Sequence, residues 1–280
     1  MQTERAVSRN PCRPSTRELH QHVIERAILA MRQNLDRSFP LERIAKSAMC
    51  SPFHFNRVFR QMLGVTPTHF LSALRLQAAK KLLLTTSLSV IDICFEAGYN
   101  SLGSFTTRFT QLVGVPPNRL RKLAGRTRAI GELVNKDSLI QSHESLASVY
   151  GTVTSPDAFD GPVFIGLFKE AMPQGAPAAC TIADGCGNFS LSAVDEGEYF
   201  LFAAGLPWSE PAVSYLMSEN ILRASSGRTP LTILAGSPAR RVDLVLRSES
   251  LTDPPILIAL PLLLNVGEAN HGSHLSRRSV

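Results

Sequence analysis

Apolar positions recur every three to four residues along roughly the first 124 residues of the chain and gather into short runs after residue 150. The first pattern predicts helices and the second strands. Leu19, Val23, Ile28, Met31 and Leu35 form one stripe, which places a first helix after Ser15 and Thr16, with Thr16 as its cap and an end near Phe39 and Pro40. The run LERIAKSAM, residues 41–49, turns Leu41, Ile44, Ala45 and Ala48 to one side and predicts a helix of about two turns. Ser51 as cap and Pro52 at the first helical position then open a helix that closes at Gly64. A longer helix follows over TPTHFLSALRLQAAKKLLLTT, residues 66–86. Its buried stripe is Phe70, Leu71, Leu74, Ala78 and Leu82, and Arg75, Lys80 and Lys81 are expected on its wet face.

The same sentence is then spelled again. Ser51, Phe55, Phe59, Gln61, Gly64, Val65 and Pro67 return 50 positions later as Ser101, Phe105, Phe109, Gln111, Gly114, Val115 and Pro117. Ahead of the turn the offset is 49, pairing Ile44 with Ile93 and Ala48 with Ala97, so the second turn holds one extra residue. Each copy is a short helix, a tight turn and a second helix, and the long helix joins the copies. Phe55, Phe59, Phe105 and Phe109 sit at i, i+4 spacing and are expected to be core pillars.

Residues 125–148 are polar with weak periodicity and are expected to be a linker. From residue 149 to 264 the chain offers the runs GTVTS, PVFIGLF, AACTIA, NFSLSAV, EYFLFAAGL, TPLTILA and RRVDLVLR, punctuated by Gly, Pro and Asp. They predict an all-β sandwich or small barrel, and residues 265–280 a disordered tail. The expected architecture is thus two domains, an all-α double helix-turn-helix unit over residues 15–124 followed by an all-β sandwich.

Charge sharpens this division. The net charge of +6 combines 20 Lys and Arg against 7 Asp and Glu in residues 1–128, a balance of +13, with 9 against 16 in the remainder, a balance of −7. The first half is built to meet a polyanion. Five scattered cysteines without a CxxC pair fit a reduced, cytoplasmic compartment, and the longest apolar run, residues 256–264, is too short to span a membrane.

A helix-turn-helix lays its second helix in the major groove of double-stranded DNA, where base edges carry a distinct donor and acceptor pattern. Two such units can read successive grooves if they lie about 34 Å apart, and a joining helix of about 18 residues spans about 27 Å. In the first unit the exposed positions include Phe53, His54, Asn56, Arg57 and Arg60. Asn bonds adenine and Arg grips guanine, so Arg57 is expected on bases and Arg60 on the backbone. In the second unit Leu102, Gly103, Ser104, Thr106, Thr107, Arg108 and Thr110 are exposed. Short hydroxyls and a glycine there favour close approach, phosphates and groove shape over strong base reading.

Through SPFHFNRVFRQMLGVTPTHFLSALRLQAAKKLL and AGYNSLGSFTTRFTQLVGVPPNRLR, residues 19–124 resemble the AraC/XylS family of transcription regulators. The resemblance implies sequence-specific promoter binding and activation through contacts with RNA polymerase. Carried over by position, it makes Phe53, Asn56 and Arg57 the readers of the first helix and Gly103, Ser104 and Thr107 those of the second. Thr107 and Thr110 stand where the family often has Arg and Lys, which weakens the second reader.

Residues 187–206, GNFSLSAVDEGEYFLFAAGL, resemble the transthyretin-like or carboxypeptidase-regulatory-like β-sandwich, a fold that does not fix function. The β-domain is expected either to sense a small-molecule effector or to mediate association. Cys180 and Cys186 could meet across a hairpin, though two ordinary small residues are the simpler reading. No GxSxG elbow, Walker loop, HExxH or paired metal ligands occur, so neither an enzyme nor a cofactor or metal is expected. A DNA alkyltransferase would need Pro-Cys-His-Arg, and PCRP at residues 11–14 lacks the histidine.

Overall fold

The computed structural model describes residues 15–124, 147–192 and 194–260. The expected linker up to residue 146, the tail from residue 265 and the string at 11–14 lie outside the described residues. Helix α1 (Thr16–Arg32) is capped by Ser15, not Thr16. The Ser15 hydroxyl accepts from the Glu18 N–H at 3.2 Å while the Glu18 carboxylate accepts from the Ser15 N–H at 2.6 Å, satisfying two donors that a helix start leaves open. Its buried face is Ile24, Ala27, Ile28 and Met31; Leu19 stands 56% exposed, because buried contacts begin only at Ile24. The helix ends seven residues short of Phe39, and Arg75 ties down the loop that follows by donating to the carbonyls of Leu35 and Arg37.

Helices α2 (Leu41–Ser47) and α3 (Pro52–Leu63) form the first unit, α4 (Pro67–Thr85) the joining helix, and α5 (Val90–Glu96) and α6 (Leu102–Val113) the second unit, before α7 (Pro117–Ala124). Both second helices stop at a left-handed glycine, Gly64 at φ 75° and Gly114 at φ 93°, a conformation glycine adopts without steric cost. The starts differ. Ser101 accepts from the Ser104 N–H, whereas the Ser51 side chain makes no cap bond and Pro52 alone marks the start of α3. The turns differ too, since Gly98 holds φ 73° in the second and Met49 is forced to φ 56° in the first.

The four pillar phenylalanines are fully buried. Phe59 meets both Phe55 and the Phe70 ring of α4 at 5.5 Å, and Phe105 meets Phe109 at 5.5 Å and Tyr99 at 5.3 Å. The Tyr99 hydroxyl lies 3.3 Å from the Ser72 hydroxyl of α4, so each unit is anchored to the joining helix.

The β-region has two sheets. In one, β1 (Ala147–Thr154) pairs antiparallel with β4 (Gly187–Ser192) and parallel with the short β8 (Arg240–Arg241) and β9 (Leu244–Val245). In the other the order is β3 (Ala179–Asp184), β2 (Pro162–Phe168), β5 (Gly197–Gly205), β6 (Leu222–Ser225), with β7 (Leu231–Ile233) on the first residues of β5. Val149, Val153 and Leu191 from the first sheet share one apolar cluster with Val163, Ile165, Leu167 and Leu201 from the second. The region is not purely β: a short helix α8 (Ala212–Met217) precedes β6, and neither element stands out in the sequence.

The second sheet is buried on both faces. Phe164, Phe168, Ile182 and Ala204, on its other side, belong to the same cluster as the helical core. That is why PVFIGLF is apolar throughout, with every residue of β2 buried. Hydrogen bonds cross the seam. The last carbonyls of α6, which no helix can satisfy internally, are met by β-region backbone: Leu112 accepts from the Gly175 N–H at 2.8 Å and Val113 from the Ala259 N–H at 3.2 Å. Gly64 abuts Ala171 so closely that an added Cβ would lie 2.6 Å from the alanine methyl.

Lys80, expected on the wet face, is fully buried. The β-region covers that face of α4, and the Lys80 ammonium donates to the carbonyls of Ile256, Leu257 and Ile258 at 3.2, 3.1 and 3.5 Å and to the Ser218 hydroxyl at 3.4 Å. Burial, with nearby Arg223, brings the Lys80 pKa down to about 7, and Glu219 opposes the shift.

Two predictions come from these local features. Met49→Gly removes a left-handed penalty of about 1 to 2 kcal/mol at the expense of added chain entropy, so thermal unfolding should show a gain of about 0.5 to 1 kcal/mol. For Lys80, between about pH 7 and the ordinary value of 10.5 the unfolded chain holds a proton that the folded chain has shed. Stability therefore rises with pH across that window and loses that contribution as pH falls through about 7. The melting temperature should climb from pH 7 to pH 9 in the native chain and much less in Lys80→Met; equal slopes would contradict the assignment.

Candidate nucleic-acid interface

Burying Phe55, Val58 and Phe59 leaves the opposite face of α3 to solvent. Phe53 is 91% exposed, and His54, Arg57 and Arg60 are exposed with it, while Asn56 is half-buried. Phe53, Asn56, Arg57 and Arg60 are spaced i, i+3, i+4, i+7, which sets them along one face of the helix. One Arg57 Nη lies 3.2 Å from His54 Nδ1, and the His54 ring packs edge-on against His20 of α1 at 5.9 Å. Arg57 is thus directed by a neighbour whose positioning role only the structure reveals. An Ncap-to-Gly64 helix with an apolar back and a cationic, amide-bearing front can enter a groove and bond base edges.

The equivalent face of α6 carries Gly103, Thr106, Thr107 and Thr110. Gly103, Ser104, Thr107 and Arg108 are exposed, and Thr106 and Thr110 are half-buried. The Thr110 hydroxyl donates to the Thr106 carbonyl at 2.7 Å, so it is occupied within its own helix. Of the side chains on this helix only Arg108 carries a charge. The two helices therefore offer unlike surfaces on like scaffolds. A cation and an amide front the first, and small hydroxyls around a glycine front the second.

The fold separates this surface from the β-region. Phe53, Asn56, Arg57, Gly103, Ser104, Thr106 and Thr107 lie in the N-terminal halves of α3 and α6, with Arg60 and Arg108 beyond them, whereas the β-region meets the C-terminal ends at Met62, Gly64, Leu112 and Val113. Among the described residues no helix is long and apolar enough to cross a membrane, and no group of three His, Cys, Asp or Glu side chains could hold a metal ion. Cys180 lies on β3 opposite Gly166 and Cys186 in the turn beyond it; burial drives the Cys180 thiol up to about 11, which makes it a poor nucleophile at neutral pH.

A family described as "Helix-turn-helix domain" matches residues 44–123, from α2 to the end of α7. The transposon Tn10 TetD protein of Escherichia coli is 32% identical over 106 residues, covering 38% of this chain and 77% of TetD. The HTH-type transcriptional activator AarP of Providencia stuartii is 31% identical over 99 residues, covering 35% of this chain and 73% of AarP. A solved transcriptional regulator of Chromobacterium violaceum with an AraC-type DNA-binding domain is 26% identical, with 38% of this chain and 95% of that one covered and a TM-score of 0.37. Several other matched regulators are longer, and the chain spans less than half of their length. With its two matched helix-turn-helix units and its similarity over most of TetD and AarP, the chain belongs to the AraC-type helix-turn-helix family of transcription regulators.

Proposed function

We propose that the chain is a sequence-specific regulator of transcription, reading two successive major grooves of promoter DNA with α3 and α6. In this reading it acts as an activator that contacts RNA polymerase, and its β-region senses a small molecule. The observation that carries the first part is the paired display: two helices in repeat register, each with an apolar back in the shared core and a solvent-facing front clear of the β-region. Phe53 offers a thymine methyl an apolar partner, Asn56 and Arg57 face base edges, and Arg60 and Arg108 face phosphates. Gly103, Ser104, Thr106 and Thr107 let α6 come close and follow groove shape. The nineteen residues of α4 make it about 28 Å long, a length that suits two units meant to lie about one helical turn of DNA apart.

The continuous core favours a β-region that is part of the reading head. Cutting it away would expose Phe164, Phe168 and the α4 face around Lys80, so the full chain is the unit to test. A mobility-shift titration on bound genomic fragments should show Arg57→Ala losing about 1 to 3 kcal/mol of discrimination at one base pair while binding of unrelated DNA is retained. Arg108→Ala should weaken all sequences alike and lower the salt slope by about 1. Equal binding to all duplexes, unaltered by Arg57→Ala, would overturn the proposal.

A further inference from the structure

Between the helical unit and the β-region lies an open cleft of about 410 Å³, within the range of small-ligand sites. Arg32 from the end of α1 and Gln77 and Lys81 from α4 form one wall, and Glu219, Asn220 and Glu249 form the other. Both acids are already engaged: Glu219 lies 3.1 Å from the Lys81 ammonium, and Glu249 lies 3.1 Å from an Arg223 Nη. Arg32, Gln77 and Asn220 have no hydrogen-bonding or ionic side-chain partner among the described residues.

Beyond Glu249, outside the cleft's own lining, sits Arg223. Arg223 is 5% exposed; one Nη donates to the Pro254 carbonyl at 2.9 Å, but its Nε and other Nη have no hydrogen-bond partner among the described residues. The approach of Glu249 to that Nη is electrostatic without hydrogen-bond alignment. Burial lowers the Arg223 pKa, Glu249 and Asp253 raise it, and Arg247 and Arg32 lower it again. Lys80, buried, feels Arg223 in turn. Glu219, Glu249 and Asp253 offset Lys81, Arg223 and Arg247, which leaves Arg32 as the cleft's cation without an ionic partner among the described residues and favours an anion beside it.

We infer that the cleft is the effector site and takes a small organic acid bearing hydroxyl or amino groups, its carboxylate on Arg32, with Lys81 shared between it and Glu219, and its polar groups on Gln77 and Asn220. This rests on the β-region being a sensor. An acid bound there would bridge α1, α4 and the β-region, and so stiffen the frame that carries both reading helices.

The test is thermal unfolding of the full chain with millimolar citrate, D-gluconate or L-glutamate, against sodium chloride of equal ionic strength and against glucose. At least one carboxylate should raise the melting temperature by about 3 °C or more, with neither control doing so. Arg32→Gln, at an exposed position, should abolish the rise measured against its own unliganded melting temperature, and Gln77→Ala should reduce it. No rise with any of the three acids, or an equal rise in Arg32→Gln, overturns the site. Mobility shifts on the same samples keep the two readings apart: DNA binding without a carboxylate response refutes the cleft alone, and a response without DNA binding refutes the regulator alone.

Discussion

The buried amino group of Lys80 ties the two halves of the molecule together, beside the backbone bonds that Gly175 and Ala259 donate to the end of α6. Lys80 leaves α4, crosses the seam and ends among three consecutive carbonyls at residues 256–258. Removing such a group from water is costly, and only full hydrogen bonding makes the burial tolerable. Here the bonds serve both sides. They satisfy carbonyls in a segment with no strand partner of its own, and they pin that segment, with Ile256 and Ile258, over Phe164 and Phe202 on the outer face of the second sheet. The sheet's second buried face therefore depends on the helix it packs toward. An apolar residue at position 80 would leave three carbonyls unpaired, a penalty of about 1 to 3 kcal/mol for each one left buried without water.

How far the sequence could be read follows from which forces are local. The repeat was legible because its landmarks are backbone requirements: a glycine where φ is positive, a proline at a helix start, phenylalanines at i, i+4. Gly64, Gly114, Pro52 and the four pillars all serve as their spacing foretold. Exposure of Phe53, Arg57, Arg60, Gly103, Thr107 and Arg108 followed too, since whatever the pillars do not bury is left to solvent, while Asn56, Thr106 and Thr110 are half-buried. Lys80 was not legible. A lysine on a helix's polar side reads as solvated until another part of the chain covers it, and that cover comes more than 130 residues later. Helix α8 and strand β6 were missed for the same reason: AVSYLM and LRAS are too short to establish a period, and tertiary contacts decide their form.

The asymmetry between the two reading helices has a structural counterpart. Arg75 donates to the loop ahead of α2 and Arg121 to the carbonyls of Leu83 and Leu88 ahead of α5, so both units are braced alike from outside the motif. Scaffold and support are duplicated; the fronts are not. On α3 the longest side chains are exposed and Arg57 is directed by His54. On α6 the Thr110 hydroxyl is turned back to its own helix. A helix fronted by glycine and threonine discriminates bases weakly but fits closely, and one fronted by arginine and asparagine discriminates strongly. Each compensates for what the other lacks only if both are held in fixed register.

The β-region meets both helices at one end only. Its contacts with the reading helices fall at their C-terminal ends, against Gly64 on α3 and on the Leu112 and Val113 carbonyls of α6. Each helix has twelve residues, about 18 Å, and its readers sit near the far end. In the proposed reading, a displacement at the Gly64 end or at the Leu112 and Val113 end would carry Phe53 and Arg57 on one helix and Gly103 and Thr107 on the other. Because the two clamps belong to one packed body, they cannot move independently. Under the proposed function, a change in the seam around Lys80 would act on both helices together, and a two-groove site would register it through both contacts at once.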